Sequence, residues 1–457
     1  GVSRPIVKHS FLVTRAEDIA ATIAKAYYIA ATGRPGPVVV DIPKDVTEPN
    51  YKVPYDFPNE VKMRSYQPSE KGHRGQIKRA VKTLLEAKRP VIYTGGGIVI
   101  DNAAEHLIAV ARKLNFPVTN TLMGLGGYPG TDRQFIGMLG MHGTFEANTA
   151  MHHADVIFAV GARFDDRVTN ELEKFCPMAT IIHVDIDPTS VSKNVEADIP
   201  VVGTCTSVLK EILSLIEQSD ISPDTDAISD WWKQIDEWRA DKGIYTASRY
   251  EPSSGTCIKP QDVIKMLYKI TDGRAIVTSD VGQHQMWVAQ HMWFRRPEDH
   301  LSSAGLGTMG FGLPAAIGAQ VARPDATVVT VSGDGSFMMN VQELTTIKRR
   351  KLPVKILLVD NQKLGMVKQW QQLFFEERYS ETDLSDNPNF VLMASAFDIP
   401  GRTITRADEV EQALDEMINT PGPFMLHVAI NDAFNVWPLV PPGASNSDMM
   451  DQMEKQT

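Results

Sequence analysis

Cysteine and long apolar runs are both scarce in this sequence. The 457 residues include only three cysteines, Cys176, Cys205 and Cys257, with no Cys-x-x-Cys spacing and no histidines clustered around them. This argues against a disulfide framework or a structural zinc site and favours a reducing compartment. No apolar run approaches the roughly 18 residues of a membrane span, so we expect no association with a membrane.

An excess of positive charge is also missing. Lys and Arg number 46 against 56 Asp and Glu, which gives a net charge of −10. This balance argues against nucleic acid or an anionic membrane as the main partner. Hydrophobic residues make up 43% and charged residues 22%, which are ordinary globular values that allow large cores. At roughly 150 residues per domain, the length indicates about three domains.

Short β-branched runs alternate with helical stretches along the chain. Buried parallel strands joined by helices are typical of α/β proteins, so we predict an α/β fold with doubly wound parallel sheets. The runs are Val38-Val39-Val40, Val91-Ile92-Tyr93, Val156-Ile157-Phe158-Ala159-Val160, Thr180-Ile181-Ile182-His183-Val184, Ala275-Ile276-Val277, Thr327-Val328-Val329-Thr330-Val331 and Val354-Lys355-Ile356-Leu357-Leu358-Val359.

Two composition shifts predict the domain boundaries. Residues 43–60 contain four prolines, and residues 217–230 are polar and acidic without an apolar period. The start, Gly1-Val2-Ser3-Arg4-Pro5, has no Met, no signal peptide and no helix cap, which is typical of the middle of a domain. We therefore expect residues 1–60 to be the C-terminal remnant of a first domain plus a linker. A middle domain over 61–219 and a C-terminal domain over 220–457 follow.

A possible metal and phosphate site lies in the C-terminal part. Gly333-Asp334-Gly335-Ser336 follows one predicted strand, and Asn361 ends the next. Asp and Asn at the carboxyl ends of parallel strands supply the hard oxygen ligands that Mg²⁺ prefers, and nearby glycines let the backbone approach a diphosphate. Taken alone, Asp-Gly is more often an ordinary turn without a metal. The glycine-rich run at residues 305–314 favours the metal site over the turn.

These residues resemble a known signature. Gly-Asp-Gly followed at this interval by Asn resembles the thiamine diphosphate motif. The match narrows to the catalytic subunits of the acetolactate synthase (acetohydroxyacid synthase) family on three further segments, and it extends from Arg4 to about Gly443. The segments are Gly282-Gln283-His284-Gln285, residues 305–314 and Leu364-Gly365-Met366-Val367-Lys368-Gln369-Trp370.

The resemblance implies a metal and cofactor set in the C-terminal domain. Asp334, the Asn361 side chain and the Lys363 backbone carbonyl would coordinate Mg²⁺. Met366 would wedge thiamine diphosphate into a bent form, although an isolated Met is more often a core residue. The family usually has Asn at the position of Asp360, and side-chain alternation along a strand predicts that Asp360 faces away from the metal. The residues expected to contact thiamine diphosphate are Gly282, Gln283, His284, Gly307, Met309, Gly335, Ser336, Gly365 and Met366.

The middle domain has a weaker nucleotide pattern. Gly95-Gly96-Gly97 follows a predicted strand and Asp185-Ile186-Asp187 ends another, as in dinucleotide sites, but the full Gly-x-Gly-x-x-Gly fingerprint is missing and glycine turns close many βα units. The resemblance implies FAD there, bound without net redox chemistry. The implied contacts are Arg34, Gly95, Gly96, Gly97, Thr121, Leu122, Met141, His142, Gly161, Arg163, Asp165, Arg167, Asp185, Ile186 and Asp187.

The activity implied by the resemblance joins two 2-oxo acids. Pyruvate is decarboxylated and its hydroxyethyl group condenses with pyruvate or 2-oxobutyrate, the first common step toward the branched-chain amino acids. Met366, Gln283, Arg167 and Trp370 would take part, Arg167 holding the acceptor carboxylate through its guanidinium fork and Trp370 packing on the extra methyl of 2-oxobutyrate. By default, such an arginine would be a surface ion-pair residue and such a tryptophan a core residue.

The resemblance also implies partners and a cellular compartment, and two other interpretations of the sequence stand beside it. The resemblance implies a homodimer or tetramer, a small regulatory subunit, and the cytoplasm, or an organelle in a eukaryote. One rival is a flavin-dependent enzyme of the pyruvate oxidase kind. The other is an inactive cofactor-binding fragment, because the family's catalytic glutamate lies in the N-terminal domain and has no counterpart in this chain.

Overall fold

Three parallel sheets organise the chain in the computed structural model, which describes residues 1–50, 52–219, 221–244 and 252–451. A small sheet pairs two strands, and two larger sheets have six strands each. The strands are β1 (His9–Leu12), β2 (Val38–Asp41), β3 (Pro90–Thr94), β4 (Val118–Asn120), β5 (Phe135–Met138), β6 (Val156–Val160), β7 (Thr180–Asp185), β8 (Ile199–Val202), β9 (Ile276–Ser279), β10 (His300–Ser302), β11 (Val328–Gly333), β12 (Lys355–Asp360), β13 (Gly401–Ile404) and β14 (Phe424–Ala429).

Helices connect the strands and cover the sheets. They are α1 (Ile19–Ala31), α2 (Arg74–Glu86), α3 (Gly96–Ile100), α4 (Ala104–Leu114), α5 (Phe145–His153), α6 (Asp166–Thr169), α7 (Cys205–Glu217), α8 (Thr225–Lys242), α9 (Pro260–Ile270), α10 (Gln283–His291), α11 (Gly312–Ala322), α12 (Asp334–Met338), α13 (Leu344–Arg350), α14 (Gly365–Phe374), α15 (Phe390–Ser395) and α16 (Val410–Asn419). Within the described ranges, no helix is long and apolar enough to cross a membrane.

All seven predicted runs are confirmed as strands, but β2 is not buried, because its residues alternate between half-buried and exposed. Every residue of β3, β6, β11 and β12 is buried, as expected of strands covered by helices on both faces. Seven further strands were not predicted, because they are short or lack a β-branched run; β10, for example, is His300–Ser302. The prediction of an α/β fold with doubly wound parallel sheets is confirmed.

The middle sheet has the order β5-β4-β3-β6-β7-β8. Counted along the chain, this is strand order 3-2-1-4-5-6, the order of the Rossmann fold. The direction of winding reverses between β3 and β6, which pair from Pro90↔Val156 to Thr94↔Val160. Ligands in such sheets bind in the crevice beyond the carboxyl ends of the two strands at this switch point.

The C-terminal sheet has the order β10-β9-β11-β12-β14-β13. Its switch point lies between β9 and β11, which pair from Val328↔Ile276 to Val331↔Ser279. Asp280 follows β9, and Asp334 follows β11 as the first residue of α12. The same topological rule therefore identifies a second crevice, at the predicted thiamine diphosphate motif.

Helix α8 begins inside the predicted linker at residues 217–230, so that prediction is wrong for residues 225–230. Asp224 caps the helix by accepting a hydrogen bond from the Ala227 N–H at 3.1 Å, which is a favourable N-cap. The buried side chains of Trp231 and Trp232 pack into the hydrophobic cluster of the middle sheet. We therefore propose that the middle unit extends past the predicted boundary at residue 219 to include α8.

Candidate cofactor-binding and catalytic site

Asp334 lies at the switch point of the C-terminal sheet, and the residue is 2% exposed. Burial and the neighbouring Asp360 carboxylate raise the pKa of Asp334 to about 7. Among the described residues, no group of three or more His, Cys, Asp or Glu has the geometry of a metal site. A cation here would therefore depend on amide and carbonyl oxygens as well, and such hard oxygen ligands suit Mg²⁺.

Asp360 was predicted to face away from the metal, but its carboxylate lies beside that of Asp334, a predicted metal ligand. One amide, Asn387 Nδ2, donates to Asp334 Oδ2 at 2.8 Å and lies 3.5 Å from Asp360 Oδ1. Burial works to raise the pKa of Asp360, yet hydrogen bonds from His427 and the Gln362 N–H outweigh it and lower that pKa.

His284 is held against the backbone of two glycines at the switch point. A Cβ on Gly282 or on Gly333 would lie 2.8 Å from the His284 ring, so side chains at these positions would displace it. Burial lowers the pKa of His284 to about 4, and its Nε2 atom is buried without a hydrogen-bond partner. An orphaned polar atom at this place fits a polar ligand such as a diphosphate.

The glycine-rich loop folds over the same switch point. The Asp280 carboxylate accepts hydrogen bonds from the Gly310 N–H and from Ser332 Oγ, at 2.9 and 3.0 Å. Ser336 Oγ donates to the Val281 carbonyl at 2.6 Å. Gly307 has a φ of +64°, a left-handed conformation that favours glycine.

A cavity of about 960 Å³ lies at the carboxyl edge of the middle sheet, at the upper end of the roughly 300–1,000 Å³ typical of ligand sites. All but one of the residues predicted to contact FAD line this cavity. Asp187 does not line it, but Asp187 Oδ2 accepts from Arg34 Nη1 at 3.2 Å. The lining residues from that prediction are Arg34, Gly95, Gly96, Gly97, Thr121, Leu122, Met141, His142, Gly161, Arg163, Asp165, Arg167, Asp185 and Ile186.

Backbone groups form the floor of this cavity where β3 and β6 end. The Gly97 N–H donates to the Gly161 carbonyl at 2.9 Å. A Cβ on Gly97 would lie 2.6 Å from the Gly161 Cα. The two strand ends can approach this closely only because both residues are glycines, and the exposed backbone leaves room for a flat or phosphate-bearing ligand.

The C-terminal unit contributes to the same cavity. Gly307, Met366 and Trp370 line it together with Arg167. Trp370 is half-buried and its ring packs on Phe374 at 5.2 Å, so it is not a residue of the hydrophobic core. Arg167 is exposed, with an ion pair to Asp166 at 3.8 Å, which leaves its guanidinium accessible to a ligand.

The remaining predicted thiamine contacts do not line this cavity. Met309 Cε would lie 3.7 Å from a Cβ on Gly335, next to Leu364. Lys363, whose backbone carbonyl is a predicted metal ligand, forms an ion pair with Asp383 through its side chain. Gln283 is 4% exposed and its amide hydrogen-bonds to Asn361, Gln369 and Phe434.

Several lining residues were missed by the sequence analysis. Gln285 and Met286 stand one and two residues beyond His284, so the first turn of α10 could have identified them. Thr204 and Cys205 follow β8, and the rule for strand ends could have identified these too. No sequence pattern singled out Tyr93 as a site residue, because it lies within an apolar run. The other missed residues include Glu70, Ile100, Asp101, Met123, Met138 and residues 304–306.

Comparison with known families agrees with this geometry. Residues 280–428 match the family described as "Thiamine pyrophosphate enzyme, C-terminal TPP binding domain", and residues 77–212 match "Thiamine pyrophosphate enzyme, central domain". The two matches and the two switch-point sites define the class of protein, a thiamine diphosphate enzyme.

Individual relatives narrow the class. The chain is 49% identical to the acetolactate synthase large subunit of Haemophilus influenzae, across 100% of this chain and 79% of the relative. It is 50% identical to the isozyme 3 large subunit of Escherichia coli, across 98% of this chain and 78% of the relative. The chain therefore belongs to the family of acetolactate synthase large subunits. The family predicted from the sequence is confirmed, and the pyruvate oxidase alternative is not favoured.

Proposed function

We propose that the chain catalyses the acetolactate synthase reaction. It would decarboxylate pyruvate and condense the hydroxyethyl group with pyruvate, giving 2-acetolactate, or with 2-oxobutyrate, giving 2-aceto-2-hydroxybutyrate. The observation that supports this most is the shared cavity, because Arg167 of the middle unit and Met366 and Trp370 of the thiamine-binding unit line it together. A purified protein that forms no acetolactate from pyruvate with thiamine diphosphate, Mg²⁺ and FAD would refute the proposal.

The cofactor set of the proposal is thiamine diphosphate, Mg²⁺ and FAD. Asp334, Asn361 and the Lys363 carbonyl would hold Mg²⁺, and the buried carboxyl of raised pKa supports this, since a cation would offset its unfavourable charge. The glycine floor and the size of the cavity support FAD. Thiamine diphosphate, when bound, supplies the electron sink for decarboxylation.

The residues of this chain would orient the substrates. Met366 would press on the thiamine, and the Arg167 fork would bind the carboxylate of the acceptor acid. The Trp370 ring would offer an apolar surface to the acceptor alkyl group. The apolar side chains of Leu122 and Met286, which also line the cavity, would keep water from the reacting carbon.

The proposed partners follow from the relatives named as large subunits. We propose a small regulatory subunit as one partner, and a homodimer or tetramer of this chain as the assembly. The cytoplasm, or an organelle in a eukaryote, is the proposed compartment.

Replacing Trp370 with leucine should reduce the preference for 2-oxobutyrate over pyruvate as acceptor. One methylene in an apolar pocket contributes about 1–3 kcal/mol, or roughly 10–200-fold in selectivity. The measurement is the ratio of acetohydroxybutyrate to acetolactate with both acids in competition. Phe375→Leu, at the end of the same helix and outside the cavity lining, is the control. An unchanged ratio in Trp370→Leu would show that Trp370 only packs.

Replacing Arg167 with alanine should weaken the use of both acceptors, because both have the carboxylate. Hydrogen bonds to charged groups contribute about 1.5–3 kcal/mol, so kcat/KM for each acceptor should fall roughly 10–100-fold. Arg167→Lys keeps the charge but loses the bidentate fork, and it should recover part of the loss. Wild-type use of either acceptor by Arg167→Ala would contradict this role, whereas the product ratio should hardly change.

A further inference from the structure

The segment after β14 crosses from the C-terminal unit to the middle unit, and we call its residues 436–446 the C-terminal strap. The first residue, Val436, belongs to the hydrophobic cluster of the C-terminal sheet. The Val436 N–H donates to Gln369 Oε1 at 2.9 Å, and the Val436 carbonyl accepts from Gln369 Nε2 at 3.0 Å. Because Gln369 lies in α14, the strap begins on the helix that contains Met366 and Trp370.

The strap ends on the short helix α6 of the middle unit. Its last residue, Asn446, is 3% exposed. Asn446 Nδ2 donates to the Val168 carbonyl at 3.0 Å, and Asn446 Oδ1 accepts from Asn170 Nδ2. Helix α6 has only four residues, and Arg167 is one of them. A single helical turn has little stability of its own, so the position of α6 depends on such tertiary contacts.

A second contact of α6 leads to the same strap. The Arg167 carbonyl accepts a hydrogen bond from the Met141 N–H at 2.9 Å, and the Met141 carbonyl accepts one from the Val440 N–H at 2.8 Å. Val440 lies in the strap and is buried. The strap therefore holds α6 twice, directly through Asn446 and indirectly through Met141.

Among the described residues, the Arg167 guanidinium has no ion-pair partner outside α6. It forms one ion pair, with Asp166 of the same turn, at 3.8 Å. The place of the guanidinium therefore depends on where the backbone of α6 lies. Arg167 and Trp370 line one cavity from two different units, and the strap connects the two helices to which they belong.

We propose that Asn446 is a positioning residue that sets the place of Arg167 relative to Trp370, and thereby the fit of the acceptor acid. The proposal rests on the proposed function, in which Arg167 binds the acceptor carboxylate and Trp370 contacts the alkyl group. A guanidinium fork binds a carboxylate through two parallel hydrogen bonds that require a defined geometry. A small shift of α6 should therefore weaken acceptor binding, whereas the first decarboxylation, which precedes the acceptor, should be unaffected.

Asn446→Leu tests this proposal, because leucine has a similar size but cannot bond to either partner. The protein with its cofactors is given less than one equivalent of pyruvate and then 2-oxobutyrate, and acetohydroxybutyrate is measured over one turnover. We expect its rate of formation at low 2-oxobutyrate to fall about tenfold, less than the roughly 100-fold that a 1 Å misplacement can cost. The preceding release of CO₂ should stay within about twofold. If this variant fails to fold, Asn446→Ser, which is too short to reach both partners, should show the same loss.

The Arg167→Ala background separates positioning from a general structural effect. Once the guanidinium is removed, its position no longer matters. Adding Asn446→Leu to Arg167→Ala should therefore change acceptor use by less than about twofold. The same loss in both backgrounds, or no loss from Asn446→Leu alone, would overturn the proposal.

The matched control is Ser445→Ala. Ser445 is also buried in the strap, but its Oγ lies 3.3 Å from His152 Nδ1 of α5, not of α6. This change also removes a contact between the strap and the middle unit, and acceptor use should stay within about twofold of the unmodified protein. An equal loss in Ser445→Ala would overturn the proposal, since the effect would then come from loosening the strap. Absence of acetolactate formation by the unmodified protein would refute the proposed function itself, and this proposal with it.

Discussion

Replacing Asp334 with alanine should abolish the Mg²⁺-dependent binding of thiamine diphosphate. The change removes a charged ligand and leaves the diphosphate less neutralised. Orienting residues around a metal typically contribute 10–100-fold to its affinity, so loss of a direct ligand should lower Mg²⁺ affinity by at least about 100-fold. Calorimetry with thiamine diphosphate, with and without Mg²⁺, measures the effect. Unchanged Mg²⁺-dependent affinity would refute the assignment of Asp334.

Stability and flavin content distinguish this loss of binding from misfolding. The pKa of Asp334 is raised to about 7 in the folded chain by burial and by Asp360. The protonated carboxyl therefore favours the fold at acidic pH, and this contribution disappears as the pH rises through about 7. Above pH 7, Asp334→Ala should not lower the unfolding temperature of the cofactor-free protein. The proposed binding of FAD, whose expected contacts lie mostly in the middle unit, should also be retained.

Replacing Gly161 with alanine should both destabilise the chain and abolish the proposed binding of FAD. Gly161 has a φ of +60°, and a Cβ there would lie 2.7 Å from the Gly97 Cα. The left-handed conformation costs about 1–2 kcal/mol and overpacking about 1–3 kcal/mol. Their sum, about 2–5 kcal/mol, is a large part of the 5–15 kcal/mol typical of a domain. Denaturant unfolding measures the loss of stability, and flavin absorbance measures bound FAD.

Gly318→Ala provides the matched control. Gly318 is exposed in α11, and a Cβ there would meet nothing within 4 Å. Alanine favours a helix over glycine by about 1 kcal/mol, so this variant should be slightly more stable and should retain FAD. Wild-type stability and flavin content in Gly161→Ala would show that the β3 and β6 ends do not need this close approach.

Much of the fold could be predicted because its signals are local. A β-branched run such as Val156 to Val160 identifies a buried strand without knowledge of its neighbours, and β6 has those bounds. The sequence analysis missed helix α8, because no pattern within the segment itself identifies it as part of the middle unit. Its 18 residues are mostly polar, and only the packing of Trp231 and Trp232 on the middle sheet shows where it belongs.

The candidate site, like the fold, could be predicted only in part from the sequence. The positions of Asp334 and Asn361 after two strands predicted a metal and diphosphate site, because parallel strands end at one edge. The resemblance to a known signature then identified thiamine diphosphate. The side of the sheet that each side chain faces could not be derived this way. Alternation along β12 does not show that the Asp334 carboxylate lies beside Asp360, because that contact depends on where α12 and Asn387 place Asp334.

The sequence by itself determined the alternation of strands and helices and the short motifs that resemble the thiamine diphosphate signature. Each of these depends on backbone conformation or spacing within a few tens of residues. Only the tertiary structure decided that Arg167 and Trp370 line one cavity and that the Asp334 carboxylate lies beside that of Asp360. These contacts join residues far apart in the chain, and strand order and helix packing, which no local pattern encodes, bring them together.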